Sequence, residues 1–410
     1  ALLSTLVGWL AYSGSEDAYL SQVVRGIRRT ARDAKPEERS GLLIIQIDGM
    51  SRPVLDIALD AGLAPTMARW LRDGTHRVTS WWARVPSTTP ASQAALLHGD
   101  SSHIPAFRWW DKELGRLVVT NRPGDAATVE RRISDGKGLL AQDGVAVATM
   151  FSGDAPTNLL VMSTTGAGRG LGPGPSYLRF FASPFVFARA VTLSVAEMVK
   201  ELYQAHRQRV RGVEPRVRRK PSYVLLRGVT NVLLRSLNIS LVAEHLLRRA
   251  PVVFVGMIDY DEIAHHAGPT RPEALRSLEG LDGVVSLLEQ VAAYSERDYE
   301  IVVLSDHGQS LGPTFRQVEG RDLPDVVRSL METRGEDTVE AHDDEEWGPL
   351  NTLLTSVLRR DPDKKPVVFG PGRASSRQSR APAPPPDREL PEVAVVASGN
   401  LAMIWFPRLP

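Results

Sequence analysis

The chain has no cysteine among its 410 residues, so neither disulfides nor thiolate metal ligands enter any account of it, and an oxidising or a reducing compartment suits it equally. An excess of charge of one sign is also missing. Lys and Arg number 49 against 48 Asp and Glu, a formal net charge of +1, which removes the general electrostatic argument for a nucleic-acid partner. The apolar opening "ALLSTLVGWLAY" gives way to the polar "SGSEDA". It is too short to span a bilayer and lacks the basic n-region of a signal peptide. The Gly-rich stretch "TTGAGRGLGPGPS" at 164–176 lacks the Lys-Ser/Thr of a phosphate-binding P-loop. What is present, 42% hydrophobic and 24% charged residues, suits one large globular α/β domain with an insertion, or two domains.

The chemistry concentrates where apolar runs end. "IVVLSDHGQS" at 301–310 is a β-branched run that terminates in Ser305, Asp306, His307 and Gly308. It delivers a carboxylate and an imidazole side by side, an O/N pair that zinc or manganese accepts. "LLIIQIDGM" at 42–50 ends likewise in Asp48 and Gly49, and "PVVFVGMIDYDEIAHHAGP" at 251–269 runs into Asp259, Asp261, His265 and His266. Between them, Ser87-Thr88-Thr89-Pro90 opens a helix-like run. Each piece has a plain structural reading: Asp48 as a turn residue or helix cap, "STTP" as an N-cap with Pro in the first turn, "HH" as a solvated loop. Their order decides against coincidence, because open α/β sheets gather ligands where strands end.

An Asp-Gly after the first strand, a Thr at a helix N-terminus, Asp-x-x-x-His-x-x-Gly-Pro and then Ser-Asp-His-Gly resemble the alkaline phosphatase superfamily. More narrowly they resemble its type I phosphodiesterase and nucleotide pyrophosphatase branch, over most of residues 41–315. The resemblance implies an α/β fold with a central, mostly parallel sheet flanked by helices. It implies two divalent metal ions, zinc first and manganese as the alternative, about 4 Å apart. Asp48, Thr89, Asp306 and His307 would hold one metal, with Thr89 also the nucleophile. Asp261 and His265 would hold the second, leaving Asp259 and His266 as neighbours. The implied reaction is phosphoester hydrolysis, by a phosphodiesterase or phosphatase, through a phosphothreonine intermediate. Alternatives are a membrane-associated phosphoglycerol or lipid-headgroup transferase, or a non-catalytic domain that keeps metal for stability. Sulfatase chemistry is disfavoured: its modified Cys or Ser lies in a distinctive motif, and Cys is absent.

The sequence departs from the branch in two places. The second metal usually takes a further histidine late in the domain, but after His307 only His342 remains, in the acidic "VEAHDDEEWGP". The corresponding position falls near "VVASGNLAMIWF", which offers Ser398 and Asn400. The phosphate-binding asparagine of nucleotide-handling relatives is replaced by "PAFRWWDK". There Arg108 would contact phosphate, with Trp109 and Trp110 lining a leaving-group pocket; the competing reading makes the aromatics core and Arg108 a surface charge.

Elsewhere the pattern is organisational. Residues 1–40 read as a membrane-proximal helix followed at 21–40 by a basic helix and polar linker, attached through a segment preceding this sequence, with the side of the membrane open; the competing reading packs the apolar opening on the domain as an amphipathic helix. Residues 41–410 read as the catalytic domain. It contains a helical insertion at about 177–250, whose Arg207, Arg209, Arg211, Arg216, Arg218 and Arg219 would meet lipid headgroups or an anionic substrate, or simply solvent. A Pro/Ser/Arg-rich linker follows at about 371–388. The final "EVAVVASGNLAMIWF" is expected to return as strands to the sheet or its edge.

Overall fold

A strand buried on both faces must be apolar without alternation, and "GLLIIQI" is such a strand. In the computed structural model, which describes residues 39–165, 184–212, 229–313, 315–331, 338–341, 390–399 and 401–409, it forms the strand beside which the site is built. The elements run β1 (Gly41–Ile47), α1 (Arg52–Asp60), α2 (Pro65–Arg72), α3 (Thr89–His98), β2 (Arg108–Asp111), β3 (Arg116–Val119), α4 (Pro123–Ile133), β4 (Val145–Val147) and β5 (Thr157–Leu159). Then follow α5 (Pro184–Val210), a π-helical turn (Val229–Leu234), α6 (Arg235–Leu247), β6 (Val252–Met257), α7 (Asp259–Ala267), α8 (Pro272–Ala293) and β7 (Tyr299–Leu304). The last are α9 (Phe315–Glu319), α10 (Leu323–Met331), β8 (Thr338–Ala341), β9 (Val393–Ser398) and β10 (Leu401–Trp405).

The central sheet has five strands in the order β5-β4-β6-β1-β7, and every pairing in it is parallel. Register is fixed by period-two burial. Leu43, Ile45 and Ile47 of β1, with Val253, Val255 and Met257 of β6, face a core built with α1, α2, α6, α7 and α8. Ile44 and Phe254 face the opposite core, built with α3, α4 and the β2–β3 hairpin. The α/β architecture with helices on both faces is the one the resemblance implied.

Two polar groups buried in these layers position elements rather than weaken them. Gln46 of β1 accepts from Gln93 Nε2 of α3 at 3.0 Å, and Gln93 Oε1 accepts from Met150 N at 2.8 Å, so the helix bearing Thr89 is keyed to the strand bearing Asp48. Asp282, in the middle of α8, caps α2 from outside its own sequence: Thr66 N and Met67 N donate to its two oxygens at 2.8 and 3.0 Å. Asp282→Ala leaves two first-turn N–H groups unpaired in the interior and is expected to cost about 2–3 kcal/mol. Thermal denaturation reads this as a lower Tm, and an unchanged Tm would show that the cap is replaceable.

The region expected as a helical insertion divides in two. Almost every residue of α6 is buried, and the helix packs on α8, β6 and β4, so it is a covering helix of the sheet itself. By contrast α5 leaves Val191, Val195, Val199, Leu202 and Tyr203 exposed. The C-terminal strands correct an expectation. β9 and β10 do not join the central sheet; they pair with each other and with β8 in a separate sheet of order β10-β9-β8. The reason lies in their packing: Ala394 and Val396 pack on Trp110, whereas Val393 and Val395 pack on Val327, so β9 has cover on both faces without the central sheet. Residues 1–38, 166–183, 213–228 and 342–389, with the membrane-proximal and basic helices, the second part of the Arg-rich stretch, His342 and the Pro-rich linker, lie outside the described residues.

Candidate metal centre

Because β6, β1 and β7 are parallel neighbours, their carboxyl ends open on one edge of the sheet. Asp48 follows β1 directly, Asp306 and His307 follow β7, and β6 passes through Ile258 into α7, which carries Asp261 and His265. Thr89 reaches the same edge as the first residue of α3. Thr88 caps that helix with extended backbone, at φ −139°, but its side chain makes no capping hydrogen bond. The turn after Asp48 requires glycine: Gly49 has φ +72°, and a Cβ there would collide with Asp261 Oδ1. The same residue donates from its backbone N to Asp306 Oδ1 at 3.2 Å, joining the β1 and β7 ends.

The geometry centres on the Thr89 hydroxyl. Its Oγ1 lies 3.3 and 3.4 Å from the Asp48 oxygens and 3.0 Å from His307 Nε2. His307 Nε2 is in turn 3.4 Å from Asp48 Oδ1 and 3.6 Å from Asp306 Oδ2. Each of Asp48, Asp306 and His307 offers a ligand atom, and these atoms all lie within 4.8 Å of one another. Ser92, one turn along α3 from Thr89, donates to the Asp306 carbonyl at 2.9 Å and ties the helix to the loop that carries Asp306 and His307.

The donor set fits a divalent cation. Asp306 is fully buried, yet its Oδ2 has no hydrogen-bond partner, an arrangement that costs free energy unless a cation or donor answers it. Burial first, and then the neighbouring Asp306 and Asp261 carboxylates, hold Asp48 well above the usual carboxylate range. Two aspartates and an imidazole nitrogen converging in the interior form a donor set that zinc or manganese accepts.

Asp261 and His265 stand beside this group as an i,i+4 pair, with His265 Nε2 at 3.1 Å from Asp261 Oδ2. Burial works against ionisation of Asp261, but the hydrogen bond and charge of His265, with help from His307 and Gln309, bring its carboxyl below the ordinary value. No second group of three His, Asp or Glu ligands forms among the described residues. Ser398 is buried and accepts from Phe107 N at 3.1 Å, and Asn400 lies outside the described residues. Asp259 is taken by Arg235, whose Nε is 2.9 Å from Asp259 Oδ1; it is a buried strand-end carboxylate with a structural partner.

Arg108, Trp109 and Trp110 are all buried on β2. Trp109 packs among Ala91, Ala94 and Leu97 of α3, and Trp110 packs on β9. Both rings are thus occupied by packing, and Arg108 is an interior rather than a surface charge.

Two contributors escaped the sequence reading. Gln309 donates to the Asp261 carbonyl at 3.1 Å and to its Oδ1 at 2.5 Å, linking the Asp306–His307 loop to the second pair. Trp81 Nε1 donates to the Ser305 carbonyl at 3.1 Å, placing an exposed indole one residue from Asp306. Gln309, two positions after His307, carried a proximity signal; Trp81 carried none.

No curated protein matches the sequence. A model of the family described as type I phosphodiesterase / nucleotide pyrophosphatase matches residues 42–362, a span that begins one residue into β1 and takes in the rest of the parallel sheet with each of the strand ends just described. On that match the chain belongs to the type I phosphodiesterase / nucleotide pyrophosphatase family of the alkaline phosphatase superfamily, a family of phosphoester hydrolases.

Proposed function

We propose that this chain is a metal-dependent phosphodiesterase or phosphatase in which Thr89 is the nucleophile and a phosphothreonine the intermediate. One observation carries the reading: the Thr89 hydroxyl, at the first position of α3, lies within 3.4 Å of both Asp48 oxygens and 3.0 Å from His307 Nε2. A threonine hydroxyl is a weak nucleophile near neutral pH. Asp48, Asp306 and His307 would hold one divalent cation beside it, and Asp261 with His265 a second. When bound, such cations supply Lewis-acid polarisation of the phosphoester and favour the deprotonated hydroxyl.

The remaining steps belong to the chain. The first turn of α3 presents backbone N–H groups and the positive end of the helix dipole to a phosphoryl group attacked by Thr89. Attack forms the Thr89 Oγ1–P bond and releases the alcohol of the ester. Water then breaks that bond and regenerates the hydroxyl; transfer to a second alcohol in place of water would give the phosphoglycerol or headgroup transferase variant. Membrane association, and a division into a membrane-proximal part (1–40) and a catalytic part (41–410), belong to the same proposal. Among the described residues no helix is long and apolar enough to cross a membrane.

A second reading, a metal-holding domain without turnover, draws support from the Asp261–His265 pair, which lacks a third ligand among the described residues. Hydrolysis of bis-p-nitrophenyl phosphate beside p-nitrophenyl phosphate, with zinc or manganese added or chelated, separates the two. Metal-dependent diester cleavage is expected. Faster monoester cleavage would make the enzyme a phosphatase, and metal uptake without turnover of either ester would favour the second reading.

A further inference from the structure

The segments that lead into the centre carry apolar side chains where solvent would demand polar ones. Trp82 is 94% exposed, Val85 89% and Leu311 68%. Large apolar side chains left this open to solvent, on the segments that lead to Thr89 and away from His307, mark an interaction surface. Contacts of their neighbours tie these segments to the centre. Trp81 is bonded to the Ser305 carbonyl beside Asp306, and Val85 lies four positions before Thr89. On the other side, Leu311 belongs to the loop that leaves His307 and reaches Asp261 through Gln309. Its Cδ2 would touch a Cβ placed on Gly268, at the end of the helix that carries His265.

Charge narrows the occupant. From Thr75 to Gly99 the sequence holds no Asp or Glu, although the whole chain balances 49 basic against 48 acidic residues. Arg77 and Arg84 flank the two tryptophans and are exposed. Apolar tips with an amphipathic indole, interleaved with arginines and free of carboxylates, complement the boundary between acyl chains and anionic headgroups. A pocket for a planar group would give the indole a facing wall. Trp82 has none, and its companions Val85 and Leu311 are aliphatic.

We infer that this rim docks the active centre onto an anionic lipid surface and that the substrate is a phosphoester of a lipid headgroup drawn from that surface. The inference rests on the phosphoester-hydrolase reading and names its substrate class. Trp82 and Val85 dip into the interface, Arg77 and Arg84 meet the headgroup phosphates, and a headgroup then lies over Thr89.

Co-flotation of the full chain with vesicles of phosphatidylglycerol in phosphatidylcholine tests it. The same preparations are assayed for turnover of vesicle lipid and of monodisperse bis-p-nitrophenyl phosphate. The wild type is expected to float with anionic vesicles, and less so at high salt. Trp82→Ser with Val85→Ser should lower flotation, and the ratio of vesicle to soluble turnover, by about tenfold, with Trp82→Phe retaining most of both. Both side chains are exposed, so a shared Tm certifies that the variants fold. Equal flotation of the double variant and the wild type would overturn the inference, placing any membrane contact elsewhere in the chain. So would a rise in KM for the soluble aryl diester with flotation unchanged, which would make the rim a site for planar groups. Trp82-dependent flotation with no turnover of any ester would uphold the docking surface and remove the hydrolase reading.

Discussion

Thr89→Ala is expected to lower diester turnover by roughly 10³-fold or more while leaving Tm nearly where it was. The side chain is small, and alanine is acceptable in the first helical turn, so the stability change should stay within about 1 kcal/mol. The alternative for this residue is purely structural: a threonine that merely opens α3 would lose little activity when truncated, because Thr88 and not Thr89 is the capping position. Thr89→Ser sharpens the contrast. It keeps the hydroxyl that faces Asp48 and His307 and loses only a methyl, so it should retain a measurable fraction of turnover. Acid quenching during turnover and mass spectrometry should find one phosphoryl group on the peptide containing Thr89 in the wild type and none in Thr89→Ala. Turnover by the alanine variant at the wild-type rate would remove Thr89 from the chemistry altogether.

What could be read in advance follows from how much of each signal is local. Asp48, Asp306 and Asp261 follow apolar runs of strand length, and parallel pairing of β1, β6 and β7 brings such strand ends together whatever lies between. Thr89 was legible for the same reason, through the Pro and small residues that open α3. Trp109 and Trp110 show where local reading leaves two outcomes open, a pocket wall or a core. Their alternation on β2 sends one ring toward α3 and the other toward β9, and β9 lies almost three hundred positions along the chain. The same long-range packing withdrew β9 and β10 from the central sheet, since the residues that cover them, Trp110 and Val327, are remote in sequence. Asp282 as the cap of α2 is of this kind too: nothing near Pro65 announces an acceptor supplied from α8.

Asp306→Asn should invert the order of stabilities with and without metal. Without metal the wild type holds two buried carboxylates, Asp48 and Asp306, in one cluster, and the Asp306 Oδ2 answers no donor. Asparagine keeps an oxygen for the Gly49 N–H, which is 3.2 Å from Asp306 Oδ1. It also replaces the unpartnered oxygen by a donor facing Asp48. The metal-free variant should therefore be more stable than the metal-free wild type, by about 1–3 kcal/mol. Added zinc or manganese reverses this. At one hundred times its Kd a cation stabilises the wild type by about 2.7 kcal/mol, whereas the variant has lost a charged ligand and gains little. Turnover should fall with the lost ligand, since the polarisation expected beside Thr89 depends on it. Melting curves of both proteins, chelated and metal-loaded, would cross in this order. Parallel curves, with no metal-dependent rise in the wild-type Tm, would mean that Asp48, Asp306 and His307 form a structural network rather than a metal centre, and the functional reading would lose its foundation.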